Sequence, residues 1–233
     1  MSLLDIIIVM IIVFGALIGF KRGIIKQGLV TIGIEVILIL SFILKNPISA
    51  FMYKNLPFFS FNGLYENISV LNILLYEVIA FALVFSILST ILLVLIRISK
   101  SFDKVLKLTL LFSLPSRILG AILGACEYYL IVFIVLFILM QPVFQISSND
   151  LFLDSKLKDI VLKNTPFISG YIKPTMDAVE DIEELIKDKD NYSDKEFNCK
   201  ATNIMVKNKV IEKKSLDYLY ESGKIKSKCQ IGE

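Results

Sequence analysis

Four apolar runs, each about as long as a bilayer's hydrocarbon core is thick, constrain this chain more than anything else in it. They are Leu3–Phe20, Ile24–Leu44, Leu71–Ile96 and Ile118–Met140. A helix rising 1.5 Å per residue needs roughly 20 apolar residues to cross that core. Core helices of soluble proteins seldom run so long without a polar face. The runs therefore predict an all-α, polytopic membrane protein with four transmembrane helices.

Charge follows the same division. Residues 1–144 hold 16 of the 47 charged side chains, although the chain as a whole has a mean hydropathy of +0.71. The expected organisation is a four-helix transmembrane domain over residues 1–144 and a small, polar, helical C-terminal region over residues 145–233. The first run has no basic segment ahead of it and no small-residue cleavage site after it, so it reads as an anchor and not as a removable signal.

Lys and Arg set the expected orientation. Lys21, Arg22 and Lys26 fall in the first connection, and Arg97, Lys100, Lys104, Lys107 and Arg117 in the third. The second connection holds only Lys45 and Lys54. Eight against two places connections one and three in the cytoplasm and both termini outside. Lys21, Arg22, Lys100, Lys104, Lys107 and Arg117 are then the inner-leaflet cations. Within the third connection, Ile98, Phe102, Val105, Leu106 and Thr109 share one helical side and the three lysines the other. That pattern fits a basic amphipathic helix lying on the leaflet and ended by Pro115.

Glycines recur at helical spacing. Gly15, Gly19 and Gly23 stand four apart, and Gly120 and Gly124 repeat the spacing in the fourth run. An interior Gly weakens a helix by about 1 kcal/mol relative to Ala. In lipid, however, small residues let helices approach closely enough for packing to hold them. These five are expected as packing positions, with Gly23 also permitting a tight turn between the first two spans. The second connection carries Phe51, Tyr53, Phe58, Phe59, Phe61 and Tyr65, a composition suited to the outer interface.

The C-terminal region has fifteen Lys against nine Asp and seven Glu, a net of −1 that offers nucleic acid no electrostatic match. Its periodicity predicts helices over about Pro174–Lys189, from Asp194 onward behind a Ser193/Glu196 capping box, and over about Glu212–Ser222 before Gly223. Cys199 and Cys229 both lie here; the spacing leaves a disulfide and free thiols open, with free thiols favoured.

The chain has no histidine, which removes the commonest general base and most zinc sites. No phosphate-binding or dinucleotide motif is present, and no catalytic residue, metal or cofactor is expected. The residues that invite a function are acids inside the runs: Glu35 mid-span in the second, Glu77 toward the outer end of the third, and Glu127 in the fourth. A charge near the bilayer centre costs about 3 kcal/mol even on lenient insertion scales. Each acid is therefore neutral, paired across helices, or facing water.

Three segments together resemble the CvpA family, the colicin V production protein family of bacterial inner-membrane proteins. Leu3-Leu4-Asp5-Ile6-Ile7-Ile8 opens the chain, Gly19-Phe20-Lys21-Arg22-Gly23 closes the first run, and Ser116-Arg117-Ile118-Leu119-Gly120-Ala121-Ile122-Leu123-Gly124 begins the fourth. The likeness covers about residues 1–145, and Asp5, Arg22, Gly23, Arg117, Gly120 and Gly124 are the positions it carries over. Glu127-Tyr128 departs from the small or basic residues expected after the second glycine. The resemblance implies a non-enzymatic, multi-pass protein of the bacterial inner membrane. It would support peptide-toxin production or export, or envelope homeostasis, through assembly in the bilayer and binding of export or envelope partners. A small channel or transporter using the intramembrane glutamates is the competing expectation, and it would need a homo-oligomer because four spans enclose little space.

Overall fold

A computed structural model describes residues 2–61, 66, 68–98, 113–144, 154–163, 165 and 169–225. Those residues form helices: α1 (Leu3–Asn55), α2 (Val70–Ile98), α3 (Ser113–Leu139), α4 (Lys156–Lys163), α5 (Ser169–Lys187), α6 (Asp194–Lys207) and α7 (Lys213–Glu221), with short 3-10 turns at Pro142–Phe144 and Lys189–Asn191. Three of them, α1, α2 and α3, are long and apolar enough to cross a membrane. The first accounts for two of the four expected runs. Its 53 residues would extend about 80 Å if straight, more than twice the hydrocarbon thickness. It is instead two helices joined at Gly23, whose φ of 73° and ψ of 168° break the helical path. That φ lies where only glycine is comfortable.

The boundaries differ from expectation at both prolines. The second run extends past Leu44, through Pro47, to Asn55. The gain is burial: Tyr53 is 3% exposed in a hydrophobic core that also takes up Ala50 and Met52. Pro115 lies in the first turn of α3; first-turn amides have no intrahelical partner, so its missing N–H loses nothing there. The amphipathic helix expected around Ile98–Thr109, with Lys100, Lys104 and Lys107, lies outside the described residues apart from its first position.

The chain divides into two compact units that interleave along the sequence. The first comprises Met1–Ser41, Leu83–Met140 and Ile146–Pro166. In it the N-terminal arm of α1 runs antiparallel to α3, Gly15 lying by Gly124 and Tyr128, and Gly19 by Gly120. Helix α4, not foreseen in the sequence, begins at a shared cap. Ser155 Oγ accepts the Lys158 amide at 3.1 Å, while Asp5 Oδ1 accepts the Leu157 amide at 3.1 Å and the Ser155 hydroxyl at 2.6 Å. Asp5 thus satisfies one orphan amide of a helix about 150 residues away in sequence and steadies Ser155, which satisfies another.

The second unit comprises Phe42–Ala82, Gln141–Gln145 and Phe167–Glu233. Here the polar helices α5–α7 pack on the end of α1 and the start of α2. Their shared core holds Leu71, Leu74 and Tyr76 with Val179, Ile182, Phe197, Met205, Leu216 and Leu219. The capping box forms as expected: the Glu196 amide donates to Ser193 Oγ at 3.3 Å and the Ser193 amide to Glu196 Oε2 at 3.1 Å. The Ser193 hydroxyl, donating to Glu196 Oε2 at 2.8 Å, and then the Ser193 amide hold the Glu196 carboxyl below its ordinary range. Gly223 follows α7 with φ of 72°, the expected stop. Helix α5 starts a turn earlier than Pro174, which sits inside it.

Candidate functional site

The glycines meet. A Cβ on Gly19 would strike Gly120 O and come within 2.9 Å of Gly124 Cα; one on Gly120 would lie 2.9 Å from Gly23 Cα. These are backbone atoms that cannot swing aside, so α1 and α3 touch main chain to main chain. Gly15 makes room for a ring: Tyr128 Cβ lies 2.5 Å from where its Cβ would stand, and Tyr128 meets Phe14 edge-on at 6.0 Å.

That close contact carries a polar network, built from residues the sequence reading treated separately or overlooked. Gln27 Nε2 donates to Glu127 Oε2, and Arg22 lies 3.5 Å from the same carboxylate oxygen. Arg22 Nη1 also donates to Gln27 Oε1 at 3.3 Å. Thr31, one turn on, sits near the Leu123 carbonyl of α3 at 3.3 Å. Just past the kink, the Ile24 amide donates to Ser116 Oγ at 3.3 Å. Glu127 is 5% exposed and Gln27 is fully buried, so this is a neutralised, hydrogen-bonded acid. The departure at Glu127-Tyr128 thus has a structural role: the acid faces Arg22 and Gln27, and the ring fills the notch at Gly15. Lys21 and Arg117 are exposed, and the Arg117 guanidinium lies 5.9 Å over the Phe20 ring.

In the second unit, Glu77 is paired too. Lys45 Nζ donates to Glu77 Oε2 and Ser49 Oγ to Glu77 Oε1 at 2.5 Å, with Lys45 5% and Glu77 3% exposed. Lys45, counted above as a loop charge, is a buried ion-pair partner. The sequence held a signal for it, because Lys45 and Ser49 continue a four-residue polar spacing on an apolar helix. Nearby, Lys224 Nζ donates to the carbonyls of Tyr53, Lys54 and Leu56 at 2.9, 2.5 and 2.9 Å, closing the C-terminal end of α1. Burial pushes its ammonium below the usual lysine range. A cavity of about 330 Å³ lies beside it, lined by Phe58, Phe59, Phe61, Glu66, Asn72 and Lys224 among others. Asn72 props its wall, accepting the Phe59 amide at 2.7 Å and donating to the Phe59 carbonyl at 3.0 Å.

Glu35 behaves differently. It is half-buried and has no hydrogen-bond or ion partner among the described residues. Cys126 is free and exposed, whereas Cys199 is disulfide-bonded, against the lean toward free thiols; its partner falls outside the described residues.

Comparison with known proteins places this architecture. A 30% identical relative, aligned over 183 residues that span 73% of this chain and 96% of its own length, is the uncharacterized transmembrane protein YshB of Bacillus subtilis (strain 168). No solved structure matches the chain. The profile of the colicin V production protein family matches residues 4–166, which takes in the glycine contact, the Arg22–Glu127 network and the Asp5 cap. This multi-pass, all-helical membrane protein belongs to the colicin V production protein family.

Proposed function

We propose that the chain is a non-enzymatic accessory protein of the bacterial inner membrane, supporting colicin V-type peptide export or envelope homeostasis by binding a partner on the outer face. The observation that carries this reading is the second unit: a folded helical body built on the ends of α1 and α2, on the same side as the connection after Asn55. The loop count of Lys and Arg, eight against two, favours that side as the exterior. The disulfide at Cys199 is what an oxidising exterior would permit. The cavity beside Phe59, itself 55% exposed, sets aromatic side chains next to Glu66, Asn72 and Lys224, a mixed and largely polar lining suited to an extended peptide.

The internal pairing of Glu77 and Glu127 favours assembly over a solute path, because both carboxylates are occupied by partners of the same chain. The test is complementation in a deletion strain that makes a colicin V-type peptide. Loss of the protein is expected to lower exported peptide at unchanged synthesis, and a Phe59→Ala copy to restore it only in part. Normal export in the deletion strain sinks the export role. Solute flux that falls in a Glu35→Gln variant would favour the transporter instead. Topology is read separately, with a membrane-impermeant thiol reagent after reduction of intact cells carrying Cys126→Ser: labelling before lysis is expected, and labelling only after lysis would put the second unit in the cytoplasm.

A further inference from the structure

Three acids lie well inside the apolar helices, and two are accounted for within the chain. Glu127 has Arg22 and Gln27; Glu77 has Lys45 and Ser49. Both are at least 95% buried. Glu35 shares neither property. It stands about 17 Å along the helix from Ile24, just past the Gly23 break, and about 15 Å from Lys45, near mid-span. Thr31, one turn before it, is turned into α3, while Ile32 and Val36 beside it are 62% and 50% exposed. Its carboxyl therefore sits on the seam between the packed face of α1 and the face that meets lipid. Hydrocarbon offers no donor or acceptor, so a polar group there must find one on another helix.

We infer that the Glu35 face is where a second copy of this chain docks. A carboxyl group is its own complement: across a two-fold axis one Glu35 donates its O–H and the other accepts. An isologous contact requires just this, the same patch on both subunits. Ile32 and Val36 flank the pair and close it from lipid. The inference goes beyond the proposed role, since it holds whatever the outer face binds.

Cysteine cross-linking in native membranes tests it. In a Cys126→Ser background, Ile32→Cys and Val36→Cys are expected to yield an oxidised product of twice the 26.4 kDa chain. Ile91→Cys, on an exposed part of α2, is expected to yield none. Adding Glu35→Gln keeps the product, because an amide can pair reciprocally; adding Glu35→Leu, which inserts into lipid at least as well, lowers it about tenfold at equal membrane abundance. Absence of the product, equal product from Ile91→Cys, insensitivity to Glu35→Leu, loss with Glu35→Gln as with Leu, or a conjugate of another mass would each overturn the inference.

Discussion

The two units solve the same problem, holding helices together, in two different ways. In the first, α1 and α3 approach until Gly19 and Gly120 touch backbone to backbone, and the cohesion comes from closeness and a few shielded polar bonds. In the second, large apolar side chains interdigitate, with Phe197, Leu216 and Leu219 almost wholly buried, and caps finish the helix ends. Lipid tails are as apolar as leucine, so burying leucine among helices gains little there, and fit and polar pairing must substitute. Water rewards burial directly. The same chain therefore spends glycine where a soluble domain would place leucine.

That contrast can be broken at four places. The largest effect is expected in the second unit: Lys45→Met strands a buried Glu77 and should destabilise by about 3–5 kcal/mol, measured by denaturant unfolding in detergent. Lys45→Met with Glu77→Leu should recover most of the loss, and equal damage in single and double variants would refute the pairing. In the first unit, Gly19→Ala should cost about 1–3 kcal/mol through overpacking against Gly120. Gly28→Ala is the control, since its Cβ would meet Leu123 at an ordinary 3.6 Å and should be neutral or better. Equal tolerance at both positions would mean the close contact is not what holds α1 to α3.

Lys224→Met removes three charge-assisted bonds from the end of α1 and should cost about 1.5 kcal/mol, seen as faster amide exchange around Leu56. The smallest effect is at the capping box, where Ser193→Ala should cost about 1 kcal/mol in the second unit alone. Glu196 gives that cap a pH signature. Its carboxyl is held below the ordinary value of 4.5, so its contribution is present above that pH and is lost as pH falls through the lowered folded-state value. Ser193→Ala should flatten that acid limb, and an unchanged limb would assign it to other groups.

Much of this was legible in the residues. The apolar runs announced the membrane helices, and the Gly15–Gly23 and Gly120–Gly124 spacings marked packing positions, though not that the two stripes would face each other. Ser193 and Glu196 announced a helix start to the residue, because capping is a local bargain between neighbours. Asp5 stood out by resemblance, but its role as a cap for α4 was hidden, since that partner begins at Lys156. Glu127 was visible as an acid in a span, yet Arg22 and Gln27 become its partners only when Gly23 redirects α1. Lys45 was misassigned for a related reason: Pro47 signals an end to the helix, and only burial of Tyr53 and its neighbours in the second unit carries it onward.

The sequence by itself determined the solvent of each segment, the helices, their local caps and the surfaces able to pack, because these depend on composition and on contacts within a few residues. The tertiary structure decided which acid is neutralised and which is left over. Pairing at a distance depends on where the backbone brings two side chains, and no spacing rule reaches from Lys45 to Glu77 or from Arg22 to Glu127. Glu35 reads like the others in sequence; only the fold leaves it without a partner among the described residues.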